Sequence, residues 1–300
     1  MADQSCDEPA VEQLLHLEVR RESTAIVVFA DGEVDVLTVG RFRAAVDEAL
    51  RAAAGRPVVV DLTEVTFLGS HGLAALAEAA SKAQQRREPL RVVVDETRAV
   101  ISPLQITGLD EVLALYYSVD EALPQGANRY RIGQAWATMP PPPCDHHQPS
   151  SQAGPEPADQ ERPRTQPAPL FGLTLAAQPA ALSLIRERLR QWLLTHRWPD
   201  AEIDDLVLAV SEAASNVVDH AYLTAARGDI EIAGRITVSS GGTRTAELTV
   251  RDRGRWRPAP EQSEDRRRGL PLMKAAVAEL AIDGTEHGTC VRMRGRSVSQ

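Results

Sequence analysis

Lysine is almost missing from this 300-residue chain, which has only Lys82 and Lys274. Neither follows a glycine-rich loop at the spacing of a phosphate-cradling lysine, so the P-loop motif is excluded. Aromatic residues are scarce at 4%, and the cores must be aliphatic, built from the abundant Ala, Val and Leu. Three scattered cysteines, Cys6, Cys144 and Cys290, give no disulfide framework. His146 and His147 lie near Cys144 in a proline-rich stretch; with no second ligand pair, a metal site is not expected there. No apolar run reaches membrane-spanning length, and the acidic, polar N-terminus lacks signal-peptide features. The expected location is the cytoplasm, with no membrane partner. The 33 Lys and Arg residues face 42 Asp and Glu residues, for a formal net charge of −9. That balance argues against direct nucleic-acid binding.

What is present suffices for two globular domains. The hydrophobic fraction is 43%, as in ordinary folded proteins, and the length allows two cores. Residues 1–13 read as a frayed tail, 14–123 as a first domain, 124–168 as a linker containing Pro140–Pro143, and 169–297 as a second domain. The linker composition cannot bury enough apolar surface to offset its ordering entropy.

In the first domain, Leu15, Leu17 and Val19 alternate like a half-buried strand. Ile26–Phe29 predicts a strand ended by turn chemistry at Asp31-Gly32. Further strands are expected at Pro57–Leu62 and Leu90–Val94, and helices at Val39–Ala53, Gly72–Gln84 and Arg98–Ile106. The alternation predicts an α/β sheet with packed helices. Ser70 falls at a strand-to-helix junction, where its hydroxyl is expected to cap the helix. A phosphate there would meet the positive end of that helix and its free N–H groups. His71 reads as an ordinary, partly exposed helix-start residue, the alternative being that it tunes the local charge.

Gly32-Glu33-Val34-Asp35, the Val58–Leu62 run and Phe67-Leu68-Gly69-Ser70-His71-Gly72-Leu73 resemble the STAS family of anti-sigma-factor antagonists, from about Leu14 to Leu123. The resemblance implies that Ser70 is the phosphoacceptor. Gly69 stands where that family usually has an acidic residue, and His71 where it has a small polar one.

In the second domain, Asp200–Ala221 predicts a helix with Ile203, Leu206, Val207, Val210, Ala214 and Val217 on one stripe. Glu212 and Asn216 are four residues apart on one face, pointing away from that stripe. They read either as solvated residues or as chemistry: Asn216 an oxygen ligand for Mg²⁺, Glu212 an acceptor for the proton of an attacking hydroxyl. Asp252 ends a strand and could accept from an adenine amino group, with Gly254 allowing close approach of the backbone. Arg266, Arg267 and Arg268 precede Gly269-Leu270-Pro271, the start of a helix whose N–H groups could face phosphates. Gly288-Thr289 leads into a last strand.

In this order the pieces, with Ser211 to Tyr222 as the signature stretch, resemble the GHKL ATP-binding fold of anti-sigma-factor serine kinases, over about Leu170 to Gly295. The resemblance implies a two-layer α/β sandwich that binds ATP with Mg²⁺. It makes Glu212 the general base, Asn216 the metal ligand, Asp252 the adenine contact, and Gly254, Gly269, Leu270 and Thr289 parts of the pocket. Trp256 and Arg267 replace glycines usual in its lid, which predicts a stiffer lid or one closed by an aromatic contact.

The expected function is regulation of a sigma factor by partner switching. An ATP-dependent protein-serine kinase is joined to an antagonist domain. Its expected partners are a sigma factor, a STAS-domain antagonist or another anti-sigma kinase, and resembled kinases commonly form homodimers. The alternative is a non-catalytic module that senses nucleotide and holds partners. A two-component histidine kinase fits poorly, because no long dimerisation helix with a phosphoacceptor histidine precedes the ATP domain.

Overall fold

The β-branched runs of the N-terminal half form a five-stranded sheet in the order β1-β2-β3-β4-β5. Its strands are β1 (Leu15–Arg21), β2 (Ile26–Val34), β3 (Val58–Leu68), β4 (Leu90–Val93) and β5 (Ala114–Tyr116). The first pair is antiparallel and the remaining pairs are parallel. This computed structural model describes residues 11–87, 90–95, 98–123, 170–221, 228–239, 241–254 and 268–299. The linker expected at 124–168 lies outside the described residues. A helical turn, α1 (Val11–Leu14), precedes β1.

Period-2 alternation sends β2 and β3 residues to opposite faces. Ile26, Val28, Val58 and Val60 join the main core; Val27, Val59, Val93 and Tyr116 form a second core with Ala122 of α6 (Val119–Ala122). Helix α2 (Val39–Ala52) buries Val39, Phe42, Val46, Ala49 and Leu50, the apolar stripe of its sequence. Helix α3 (Ser70–Arg86) buries Leu73, Leu76, Ala79 and Ala83. Helix α4 (Arg98–Ile106) and the short α5 (Leu109–Val112) complete this domain.

At Asp31-Gly32 the strand does not end. β2 continues to Val34, with register irregularities against β3 on either side of that pair. Gly32 has φ +114°, and a Cβ there would strike the Leu14 carbonyl. The turn residues therefore lie inside the strand, opposite a stretch of β3 that carries extra residues in the pairing, and β2 gains the reach to carry Glu33 to the end of the sheet.

The C-terminal half has β6 (Leu170–Ala176), α7 (Ala181–Thr195), α8 (Asp200–Asn216), β7 (Asp229–Val238), β8 (Arg244–Asp252), α9 (Gly269–Ala276), β9 (Glu279–Thr285) and β10 (Gly288–Arg294). Its sheet is antiparallel throughout, in the order β6-β7-β8-β10-β9. The helices form one layer against it, so the expected two-layer sandwich is the one observed. The helix expected to run to Ala221 changes at Val217–Ala221 into a π-helical turn, a feature frequent at functional sites.

The two domains touch. α4 packs on α8 and α9, and one apolar cluster runs from the first core into the second.

Candidate functional site

Parallel pairing of β2 and β3 places Glu33 opposite Phe67 and Val34 opposite Leu68, and the Gly69 N–H donates to the Val34 carbonyl at 3.1 Å. The ends of two strands and the start of α3 thus form one edge, bearing Glu33, Asp35, Phe67, Gly69, Ser70 and His71. Asp35 is held by the turn after β2: its Oδ1 accepts from the N–H groups of Leu37 at 2.9 Å and Thr38 at 3.2 Å.

Against this edge lies Arg186 of α7. Its Nε donates to Glu33 Oε1 at 3.0 Å, and Nη2 donates at 2.6 Å to both Glu33 Oε2 and Asp35 Oδ2. The guanidinium sits 4.3 Å from the centre of the Phe67 ring. Arg186 and Asp35 are each only 4% exposed. A buried cation bridging two carboxylates holds geometry tightly, because either sign left alone would be costly.

One step along the edge, Glu212 of α8 meets the start of α3. The Ser70 N–H donates to Glu212 Oε1 at 2.8 Å. The expected cap is therefore replaced. Gly69 is the N-cap residue and offers no side chain, Ser70 is the first helical residue, and the capping carboxylate comes from the other domain. Glu212 is 2% exposed; the face it shares with Asn216 is turned to the first domain at Glu212 and to solvent only at Asn216. Among the described residues, its Oε2 is buried without a hydrogen bond of good geometry. A Cβ at Gly269 would lie 2.8 Å from that Oε2 and 3.9 Å from Ser70 Oγ. The absence of a side chain at Gly269 thus lets the carboxylate and the hydroxyl meet at the N-terminus of α9. Burial pushes the Glu212 carboxyl above its usual range, with the Ser70 amide and hydroxyl and His71 offsetting this in part.

His71 is not an idle residue. Its Nε2 lies 3.0 Å from Asp219 Oδ2, in the π-helical turn. That carboxylate raises the imidazole pKa above the ordinary 6.5; burial opposes the rise, and Glu212 and Asp35 add to it. Both shifts link docking to proton uptake. A raised His71 stabilises the docked state fully below pH 6.5, and this stabilisation is lost as pH rises through the docked value. A raised Glu212 makes burial of its ionised form increasingly unfavourable with rising pH, which acts in the same direction. Docking of the two domains is therefore expected to weaken from pH 6 to pH 8.5, by at most about tenfold per pH unit for each proton released. Titrating the affinity of the two halves of a linker-cleaved chain checks this; strengthening with pH would contradict it.

Of the other residues expected at a nucleotide site, Asp252 and Gly254 lie by the C-terminal end of α8. A Cβ at Gly254 would strike the Ala221 carbonyl, and one at Gly288 (φ +135°) the Asp252 carbonyl. These two glycines bring the end of β8, the π-helical turn and the start of β10 together. Asp252 is 3% exposed and its Oδ1 accepts from the Gly254 N–H at 2.8 Å. Thr289 follows on β10, paired with Gly284. Leu270 is 41% exposed on the first turn of α9. Trp256, Arg266 and Arg267 lie outside the described residues, as do Cys144, His146 and His147. Sequence reasoning did not single out Arg186, Asp219, or the carboxylates of Glu33 and Asp35 as contact residues. Glu33 and Asp35 stood in the Gly32–Asp35 motif and Asp219 in the signature stretch, but Arg186 is one of several arginines on an amphipathic helix.

Residues 17–116 match the family described as Mlab, STAS domain, and residues 175–295 the histidine kinase-like ATPase domain family. Over 103 residues the chain is 35% identical to Rv2638 of Mycobacterium tuberculosis, which carries the name of an anti-anti-sigma factor; this covers 34% of the chain and 69% of that protein. It is 28% identical over 114 residues to the anti-sigma-F factor antagonist RsfA of the same species, covering 38% of the chain and 88% of RsfA. Among solved structures, the RsbU and RsbW domains of Rv1364c from Mycobacterium tuberculosis align with 29% identity and a TM-score of 0.34, over 43% of this chain and 32% of that one.

Proposed function

Because this chain belongs to the STAS-domain anti-sigma factor antagonists and joins that domain to a histidine kinase-like ATPase domain, we propose that it is a protein-serine kinase that phosphorylates its own STAS domain on Ser70. Phosphorylation would switch which partner its kinase surface holds. The observation that carries the reading is the meeting of Ser70 and Glu212 at the N-terminus of α9.

The residues fit Mg-ATP on two counts. Among the described residues, Glu212 keeps a buried oxygen without a satisfying partner. Asn216 carries an exposed amide oxygen, a hard donor of the kind Mg²⁺ takes. Asn216 would hold the metal and Asp252 the adenine, while Gly254, Gly269, Leu270 and Thr289 would line the pocket. Mg-ATP, when bound, supplies the phosphoryl group and releases ADP. Glu212 takes the proton of the Ser70 hydroxyl as Oγ forms its bond to phosphorus. Burial makes this carboxylate a stronger base than a solvated one. The N–H groups at the start of α9 would face the transferred charge. Phosphoserine would add about −1.5 to −2 charges beside Glu212, so the domains separate and the kinase surface is freed for a sigma factor, the partner class that the relatives' names point to.

Mass spectrometry of the purified chain after incubation with Mg-ATP is expected to place phosphate on Ser70 and none in Ser70→Ala. For transfer within one chain the rate constant stays the same on dilution. A rate proportional to protein concentration means transfer between chains; nucleotide binding with no transfer supports the non-catalytic alternative.

A further inference from the structure

Glu212 recognises a backbone N–H, which any STAS domain could present. Selectivity must therefore come from the side chains flanking Ser70. Gly69 is one flank: a Cβ there would lie 3.1 Å from Glu212 Oε1 and 3.0 Å from Phe67 Cε1. Any side chain crowds the carboxylate, and an acidic one also repels it. His71 is the other flank, with its Nε2 3.0 Å from Asp219 Oδ2. Both side chains of this pair are only partly exposed, 34% and 24%, so the charges attract in a medium less screening than water.

We propose that Gly69 and His71 form a recognition code, read by Glu212 and Asp219, by which the ATPase domain selects its own STAS domain over STAS domains with an acidic residue before the serine and no cation after it. The code divides labour with Arg186. The arginine engages two carboxylates at the end of β2 and sets how tightly a STAS domain is held. Residues 69 and 71 set which STAS domain is held. Selection works by rejection as much as attraction: an acidic residue at the first position faces Glu212, and one at the second faces Asp219. The inference rests on the docked arrangement and would stand even if Ser70 accepted no phosphate.

The test uses the full chain with a protease site placed in the 124–168 linker and cut after purification. Calorimetry then gives the affinity of the halves without nucleotide, so phosphoryl transfer cannot influence the result. His71→Asp and Asp219→His are each expected to weaken association by about tenfold or more, and the exchanged pair His71→Asp/Asp219→His to recover most of that loss. Gly69→Asp should weaken association, and adding Glu212→Gln should restore part of it by removing the repelling charge. Thermal melts of the uncut variants confirm that they fold. The proposal is overturned if the wild-type halves do not associate, if the exchanged pair binds no better than either single variant, or if folded Gly69→Asp binds like the wild type.

Discussion

Glu212→Gln should abolish phosphate incorporation at Ser70 while leaving the domains docked. The amide keeps an oxygen to accept from the Ser70 N–H, now bonded at 2.8 Å, but cannot take the hydroxyl proton. Loss of a general base costs on the order of 10²–10⁴ in rate. Docking should hold or tighten, because the variant no longer buries a carboxylate that burial already drives towards its neutral form. Incorporation measured by mass spectrometry, beside calorimetry on the linker-cleaved chain, separates the two effects. Wild-type phosphorylation in this variant would make Glu212 a docking residue only, and loss of both would make it a structural one.

Arg186→Ala should produce the largest loss of docking of any single substitution. Removing the guanidinium leaves Glu33 and Asp35 facing each other at a closed interface, with Asp35 only 4% exposed. Breaking such a buried arrangement typically costs about 3–5 kcal/mol, which is about 10²–10³-fold or more in the affinity of the cleaved halves. Adding Glu33→Gln and Asp35→Asn should return part of this, because the stranded charges cause much of the loss; the asparagine amide keeps an oxygen for the N–H groups of Leu37 and Thr38. In the intact chain the two halves remain covalently joined, with an effective concentration on the order of millimolar, so opening will be less complete there than in the cleaved one. Unchanged affinity in Arg186→Ala would show that water solvates both carboxylates and that the bridge is incidental.

Local chemistry made much of this legible in sequence. The four-residue spacing put Glu212 and Asn216 on one face of a helix, and Ser70 stood at a strand-to-helix junction. Other features depend on what another part of the chain brings. Glu212 is buried by a residue 142 positions away, and nothing in its own helix announces that. The same holds for Ser70, whose helix is capped by a distant carboxylate instead of its own hydroxyl. Arg186 resembles its neighbours Arg188 and Arg190 until the strand ends of the other domain are placed against it. Asp31-Gly32 carries real turn chemistry, but pairing on both edges of β2 outweighs the local preference and leaves a bulge.

The parallel alignment of β2 with β3 also limits how this protein can diverge. Between Val58 and Asp61, β3 pairs in unbroken register with both β2 and β4, so inserting or deleting one residue there would turn the side chains beyond it to the opposite face of the sheet. Length changes are tolerable in the stretches outside the paired strands, where no register must be kept. Within this stretch descendants can vary by substitution alone, so the spacing from Val58 to Asp61 should persist in lineages where Gly69 and His71 have already been exchanged for other residues.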